Sequence, residues 1–307
     1  MTRIKTEEMT MYIRNLVGYG LAACVLSLPL QAQQLVWTDD SANVLQSANA
    51  DGSNLQTISS GGGSPRGVAI DQANSHVYWA NAIGPNSIFR IDFDGSNQTV
   101  VVTGEAPRGI ALDLINSKIY WTDNFSSVDR SDLNGSNIEN LISGQSGNRS
   151  IAVDPAGGKM YWTVDSSTDQ IFVANLDGTG SSVLLSTSDP NYVALDLING
   201  KIYWSQQNGT LLQRANLSDG SNIETVADIV GGQTEGIALD PANSFVYFGD
   251  SDNGSIRRVN YDGTGLTTIV SGLSSPHALA FIPEPSTYAL LVGALAIGLA
   301  LYYRKRK

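Results

Sequence analysis

Hydrophobic and polar positions along the chain fall into short runs of five or six residues with turns between them. In the clearest stretch, an apolar run ends at Asp113, an aromatic and β-branched run covers 118–123, and two further runs cover 128–133 and 138–142. Runs of this length and composition predict four antiparallel strands. Asn134-Gly135 separates the last two runs and predicts a type I′ hairpin, because both central residues of that turn need positive φ.

This four-strand pattern recurs about every 42 residues. One aromatic residue marks the second strand of each repeat, with successive spacings of 42, 42, 41, 42 and 44 residues. The marking residues are Trp37, Trp79, Trp121, Trp162, Trp204 and Phe248. The hairpin dipeptide recurs as Asp-Gly at 51–52, 94–95, 177–178, 219–220 and 262–263. Four short strands in about 42 residues is the repeat of a β-propeller blade.

The order of the strands predicts how the propeller closes. Six inner strands are expected, at 67–71, 109–113, 150–154, 192–196, 236–240 and 277–281. The first repeat starts on its second strand at Leu35, and the last inner strand has no further repeat after it. We therefore predict an all-β, single six-bladed propeller over 35–282 with four antiparallel strands per blade. The C-terminal inner strand completes the first blade, which removes an exposed sheet edge.

The second strands also share a sequence motif. Val36-Trp37-Thr38-Asp39, Tyr120-Trp121-Thr122-Asp123 and Tyr161-Trp162-Thr163-Val164 resemble the YWTD motif of low-density-lipoprotein-receptor-like proteins, the class B repeat. The repeats of Trp79, Trp204 and Phe248 keep only part of it. The resemblance covers about 250 residues and implies a six-bladed propeller, without implying any one receptor's function.

The first 32 residues are typical of a secretory signal peptide. Arg14 precedes an apolar run over 16–30, and Ala32 offers a small residue for cleavage. Met9 or Met11 is an alternative start, because two acidic residues just before them fit a signal peptide poorly. We therefore expect an exported protein.

The only cysteine of the chain lies in this leader. Residues 21–24 resemble a lipobox, which leaves open a second possibility, that Cys24 becomes a lipidated N-terminus. With no other cysteine, neither a disulfide framework nor a thiolate metal site is expected in the repeats.

The last 25 residues, 283–307, combine three features in a fixed order. An apolar run over 289–301, flanked by tyrosines, predicts a short membrane-spanning helix with its basic end in the cytoplasm. The triplet before it is Pro283, Glu284 and Pro285, and the basic end is Arg304, Lys305, Arg306 and Lys307. Together they resemble the PEP-CTERM sorting signal. That resemblance implies a Gram-negative bacterium that makes exopolysaccharide, and an exosortase-type sorting protease that removes the tail. A permanent membrane anchor is the alternative.

Charge narrows the range of partners. The chain has a formal net charge of −11, and segment 35–282 contains 11 of its 18 basic and 26 of its 29 acidic residues. A propeller this acidic repels phosphate backbones, so we expect no nucleic-acid partner.

Most aromatic and acidic residues recur in every repeat, which favours a structural role. We expect the Tyr-Trp pairs to pack between blades. The aspartates that end the inner strands are Asp71, Asp113, Asp154, Asp196 and Asp240, and we expect them to accept backbone hydrogen bonds. Arginines of the third strand, Arg90, Arg130, Arg214 and Arg258, are expected to pair with these aspartates. No metal or cofactor is expected, with calcium coordination by the aspartates as the alternative.

One ring of positions does not repeat. The residue just before each inner strand should lie at one mouth of the central channel, and the six are Arg66, Arg108, Arg149, Asn191, Glu235 and His277. Three arginines and a histidine suggest recognition of an anionic group, such as a peptide carboxylate or an acidic sugar. The alternative is that the arginines pair with nearby aspartates for structural reasons.

Catalytic motifs are not apparent in the sequence. It has two histidines, His76 and His277, far apart in the repeat, and no zinc spacing, phosphate loop or nucleophile elbow. We therefore predict a non-enzymatic binding or scaffold propeller of the cell envelope or exopolysaccharide matrix. Its ligand would be an extracellular protein or polysaccharide, and the precursor would be held in the inner membrane by its C-terminal helix. A metal-dependent hydrolase at the channel mouth, similar to lactonase propellers, and a purely structural matrix protein are the alternatives.

Overall fold

A computed structural model describes residues 33–61, 63–84, 86–123 and 126–284. These residues form 24 strands. Their bounds are β1 (Gln34–Asp39), β2 (Val44–Asn49), β3 (Gln56–Ser60), β4 (Pro65–Asp71), β5 (His76–Asn81), β6 (Ser87–Asp92), β7 (Thr99–Thr103), β8 (Pro107–Asp113), β9 (Lys118–Asp123), β10 (Val128–Asp132), β11 (Glu139–Ile142), β12 (Asn148–Asp154), β13 (Lys159–Val164), β14 (Gln170–Asn175), β15 (Ser182–Ser186), β16 (Pro190–Asp196), β17 (Lys201–Gln206), β18 (Leu211–Asn216), β19 (Glu224–Asp228), β20 (Thr234–Asp240), β21 (Phe245–Asp250), β22 (Ser255–Asn260), β23 (Thr267–Ser271) and β24 (Pro276–Ile282).

The strands form six four-stranded antiparallel sheets, which are the six predicted blades. Blades two to six are β4–β7, β8–β11, β12–β15, β16–β19 and β20–β23. Blade one has the order β24-β1-β2-β3. Strand β24 pairs antiparallel with β1, with Gln34 opposite Ile282 and Asp39 opposite Pro276. The prediction that the C-terminal strand completes the first blade is confirmed.

The propeller, Gln34–Ile282, is a compact unit of the chain. The predicted signal peptide, Cys24, the apolar run 289–301 and the basic end 304–307 lie outside the described residues. Among the residues that are described, no helix has the length and apolar character to cross a membrane.

Aromatic side chains fill the spaces between blades. Successive strand residues point to opposite faces, so the Tyr of each Tyr-Trp pair faces the next blade and the Trp faces the previous one. Tyr78 of blade two and Trp121 of blade three share one buried cluster. At the closing interface, Tyr247 of blade six packs in a cluster with Trp37 of blade one. Each neighbouring pair of blades is therefore joined by an apolar contact of the same kind.

The threonine of the motif links neighbouring blades through hydrogen bonds. The hydroxyl of Thr122 accepts a hydrogen bond from the backbone N–H of Gly109 in its own blade, at 2.9 Å. It also donates to the carbonyl of Arg149 in the next blade, at 2.8 Å. Thr38 and Thr163 make the equivalent pair of bonds. At three of the six junctions, these hydroxyls hold the start of one inner strand relative to the next.

Each inner strand begins with a β-bulge. In blade three, Pro107 lies opposite Asp123 and Ile110 opposite Trp121, so residues 108 and 109 both face Thr122. The other five inner strands have the same register shift. A bulge redirects the side chains at the end of a strand, and here it sets the direction of the residues at the channel mouth.

Aspartates at the strand ends accept hydrogen bonds within turns. Asp113 accepts from the backbone and the side chain of Asn116, at 2.9 and 2.7 Å. Asp39 of the motif accepts from the backbone of Ala42. The expectation that the third-strand arginines pair with these aspartates is wrong for Arg130 and Arg214. Both contact a glutamate, a tyrosine hydroxyl and a carbonyl of the next blade instead.

Candidate functional site

The channel mouth brings four of the six ring residues into one contact network. His277 of blade one lies between two of them, with Nδ1 3.3 Å from Oε2 of Glu235 in blade six. Nη1 of Arg66 in blade two lies 3.3 Å from both ring nitrogens of His277. Asn191 of blade five donates from Nδ2 to Oε2 of Glu235, at 2.8 Å. The network therefore spans four consecutive blades.

Glu235 is the buried acid of this network. It is 2% exposed. Its Oε1 accepts a hydrogen bond from Nε2 of Gln233 at 2.8 Å, and its Oε2 accepts from Asn191. A buried carboxylate is costly unless it is hydrogen-bonded, and the two amides and His277 meet that need. Glu235 is thus held in one position at the base of the mouth.

Arg66 and Arg149 form ion pairs within the domain. Nη2 of Arg66 lies 2.9 Å from Oδ2 of Asp40. Nη2 of Arg149 lies 2.5 Å from Oδ2 of Asp165. Arg108 occupies the equivalent position at the start of β8. For Arg66 and Arg149, the alternative given by the sequence, pairing with nearby aspartates, is therefore present. An anionic ligand that binds these two arginines would have to compete with the carboxylates of Asp40 and Asp165.

Carboxylates crowd the same end of the propeller between blades four and five. Single carboxylate oxygens of Asp165, Asp169 and Asp189 lie within 4.8 Å of one another. Burial, and then the charges of Asp169 and Asp165, raise the pKa of Asp189. Asp169 accepts backbone hydrogen bonds from Ser166 and Asp189, and Asp165 is paired with an arginine. Asp165 and Asp169 therefore have partners within the domain, and Asp189 contributes its backbone N–H to this set.

Tyr192 closes the channel below the mouth, and the sequence analysis did not identify it. The five equivalent residues in the other blades are small: Gly67, Gly109, Ser150, Gly236 and Ala278. Tyr192 packs against the core cluster of blades one and two, on the far side of the ring from its own blade. Burial raises the pKa of its hydroxyl. In the sequence, Tyr192 could have been identified because it is a large residue at a position where the other five blades have Gly, Ser or Ala.

Ser275 and Asp40 are further mouth residues that the repeat pattern did not reveal. Ser275 Oγ lies 3.3 Å from Nε2 of His277, and Oδ2 of Asp40 lies 3.8 Å from the same nitrogen. Both residues come from segments next to strand ends, where the repeats differ. Ser275 and Asp40 thus extend the hydrogen-bonding network around His277 at the mouth.

Family models match two parts of the chain. The model for the low-density lipoprotein receptor repeat class B matches residues 75–114. A second model, described as outer membrane protein assembly factor BamB, matches residues 120–251.

Curated relatives carry the same type of repeat over part of their length. The human low-density lipoprotein receptor-related protein 5-like protein is 28% identical over 159 residues, which are 50% of this chain and 62% of that protein. Mouse low-density lipoprotein receptor-related protein 5 is 43% identical over 67 residues, 21% of this chain and 4% of that protein. The chain spans less than two thirds of the length of either relative.

Solved structures share the fold at low sequence identity. A chain in the crystal structure of a nidogen/laminin complex superposes with a TM-score of 0.74 at 18% identity, covering 81% of this chain and 98% of that one. A gluconolactonase from Xanthomonas campestris superposes with a TM-score of 0.64 at 15% identity, covering 82% and 93%. The closed ring of six four-stranded blades, the repeated motif and the class B match identify the chain as a six-bladed β-propeller of the YWTD, low-density lipoprotein receptor class B type.

Proposed function

We propose that this chain is an exported, non-enzymatic binding propeller of the cell envelope or exopolysaccharide matrix of a Gram-negative bacterium. In this proposal the channel mouth recognises an extracellular protein or polysaccharide. The tail from Pro283 to Lys307 serves as a PEP-CTERM-type signal that an exosortase-type protease removes.

The observation that carries the proposal is the break in the repeat at the mouth. The aromatic residues of the second strands recur in the blades and are buried between them. At the mouth, Arg66, Asn191, Glu235 and His277 come from four blades and form one hydrogen-bonded network. Blade packing has no need for such a set, whereas an oriented polar surface is what a binding site requires. The receptor-type relatives support binding by a propeller of this type.

The test is binding of the purified chain to exopolysaccharide and to extracellular proteins of the producing cell. Changing Arg66, Arg108 and Arg149 together to Ala removes the mouth cations, and Glu235→Gln removes the buried acid. Loss of binding in either variant is the expected result, and a cooperative unfolding transition shows that the triple variant is still folded. Asp94→Asn, in an exposed turn at the opposite end, is the matched control and should bind normally. Full binding by both mouth variants would refute a role for the mouth.

A second candidate function rests on three side chains of the same site. Ser275 Oγ faces Nε2 of His277 and Glu235 faces Nδ1, each at 3.3 Å. A serine, a histidine and an acid in this order are the groups of a serine hydrolase, and a gluconolactonase shares the fold. Binding is favoured because Arg66 and Asp40 lie beside the same ring nitrogen of His277. A fluorophosphonate probe decides between the two: labelling that Ser275→Ala abolishes would establish the hydrolase.

A further inference from the structure

A recurring arginine joins neighbouring blades at the end of the propeller opposite the mouth. In four blades it lies on the third strand opposite the tyrosine of the second strand, in the pairs Tyr78–Arg90, Tyr120–Arg130, Tyr203–Arg214 and Tyr247–Arg258. Nη1 of Arg130 donates to the Tyr120 hydroxyl at 3.4 Å and to the carbonyl of Leu176 in the next blade at 2.9 Å. Nη1 of Arg214 makes the same two bonds, to Tyr203 and Tyr261.

Blade four keeps the tyrosine but lacks the arginine. Val173 lies opposite Tyr161. An open groove of about 460 Å³ remains between blades four and five, which we call the blade-four groove. It is lined by Lys159, Tyr161, Val173, Leu184, Gly200, Leu217 and Ser218. Leu217 corresponds to Leu176 and Tyr261, since each follows the asparagine that ends the third strand. Its carbonyl is therefore the acceptor that an arginine of blade four would reach.

The two acceptors of the missing arginine have no partner among the described contacts. No described group donates a hydrogen bond to the hydroxyl oxygen of Tyr161 or to the carbonyl of Leu217. In blades three and five the equivalent acceptors are both occupied by a guanidinium group. The blade-four groove thus presents the same pair of oxygens without the cation that binds them elsewhere.

The carboxylate of Asp154, beside the groove, is also incompletely paired. Among the described aspartates that end inner strands, it alone lacks a hydrogen bond from an asparagine side chain. The aspartates that end four other inner strands are buried, and an asparagine side chain donates to Oδ2 of each at 2.7–2.8 Å. In blade four Gly157 stands in place of that asparagine. It donates only its backbone N–H, to Oδ1 of Asp154, at 2.8 Å. Asp154 is half-buried, and no described group donates to its Oδ2.

Asp154 lies on the same face of blade four as the groove. In the register of β12 and β13, Ala152 pairs with Tyr161 and Asp154 with Lys159. Residues two apart in a strand share a face, so Asp154, Lys159 and Tyr161 all face blade five. Burial, and then the charge of Asp154, raise the pKa of Tyr161. The carboxylate therefore acts electrostatically on the groove.

We propose that the blade-four groove binds the guanidinium group of an arginine side chain presented by a partner protein. The planar guanidinium presents five N–H donors in a fixed fork, which suits the Tyr161 hydroxyl, the Leu217 carbonyl and the Asp154 carboxylate together, whereas an ammonium group has three donors on a single nitrogen. The apolar stem of the side chain would lie along Val173 and Leu184. An acidic propeller attracts a basic partner of this kind.

Lys159 does not exclude a second cation from the groove. Its Nζ donates to Oδ1 of Asn175 at 2.6 Å. Lys118 and Lys201 hold the same position in blades three and five, where an arginine is present beside them. The site lies at the end opposite the mouth, so its failure would leave the proposed mouth function unaffected.

The test titrates the isotope-labelled full chain with two peptides, acetyl-Gly-Arg-Gly-amide and acetyl-Gly-Lys-Gly-amide, and follows the methyl signals of Val173 and Leu217 by NMR. We expect saturable shifts with the arginine peptide at a dissociation constant on the order of 1 mM, since few bonds form. The lysine peptide should bind at least about fivefold more weakly. Equal binding of the two peptides would overturn the proposal.

Variants locate the binding to the groove. Val173→Arg supplies the missing arginine from within and should abolish binding, and Asp154→Asn should weaken it about tenfold. Thr57→Arg and Asp94→Asn, both at exposed positions, change the net charge by the same amounts and should bind normally. Retained binding in a folded Val173→Arg variant would overturn the proposal. If the arginine peptide binds only after Arg304 and Arg306 are both changed to Ala, the groove is occupied by an arginine of the chain's own tail. That result would overturn the proposal that the arginine comes from a partner protein.

Discussion

Replacing Thr122 with valine tests how the blades are held together. Thr122 is fully buried, and valine has nearly the same shape without the hydroxyl. The change leaves the N–H of Gly109 and the carbonyl of Arg149 without their partner, two groups now bonded at 2.9 and 2.8 Å. Each buried polar group left unsatisfied costs about 1–3 kcal/mol. Thr122→Val should therefore lower the free energy of unfolding by about 2–6 kcal/mol, a large share of the ~5–15 kcal/mol typical of a domain.

Urea unfolding of the purified chain, followed by tryptophan fluorescence, measures this loss. The midpoint should fall with little change in the slope, because the surface exposed on unfolding is the same. Thr103→Val, at an exposed position of β7, is the matched control and should stay within about 0.5 kcal/mol of the wild type. A loss below about 0.5 kcal/mol in Thr122→Val would refute the view that the motif threonine links the blades.

Three further perturbations test other parts of the structure. Tyr192→Ala should open the channel below the mouth and lower the free energy of unfolding by about 3–5 kcal/mol, measured by urea unfolding. Gly135→Ala places a Cβ 1.8 Å from a carbonyl of the preceding blade at φ +84°, so its unfolding temperature should fall well below that of Gly144→Ala, where φ is +78° and the space is open. The ion pair with Lys118 lowers the pKa of Asp132 to about 2. The stability that this pair contributes is present above the ordinary pKa near 3.8 and is lost as pH falls towards 2. An NMR titration should therefore show a higher Asp132 pKa in Lys118→Met.

The ring of blades could be predicted from the sequence because its determinants repeat. Trp121 and its equivalents recur with the blade, and the missing inner strand before Leu35 is matched by the extra one that ends at Phe281. The contacts of the mouth could not be predicted in the same way. Arg66 pairs with Asp40 of the preceding blade, whereas Arg149 pairs with Asp165, which holds the same position after the motif but lies in the same blade as Arg149. The β-bulge at the start of each inner strand also determines which side chains come into contact at the mouth. The pattern of strands and turns in the sequence does not show where such a bulge occurs.

Departures from the repeat differ in whether the blade compensates for them. Blade one has neither the tyrosine nor the arginine of the bottom contact, since Val36 lies opposite Ser47, so the hydroxyl acceptor is lost together with its donor. Blade four loses the arginine while Tyr161 remains, and it also loses the asparagine that elsewhere completes the pairing of the inner-strand aspartate. A contact that serves packing alone would be expected to lose its tyrosine and its arginine together, as in blade one. In blade four the retained Tyr161 hydroxyl lies at an open groove and Asp154 is half-buried, so a donor from another molecule could bind there.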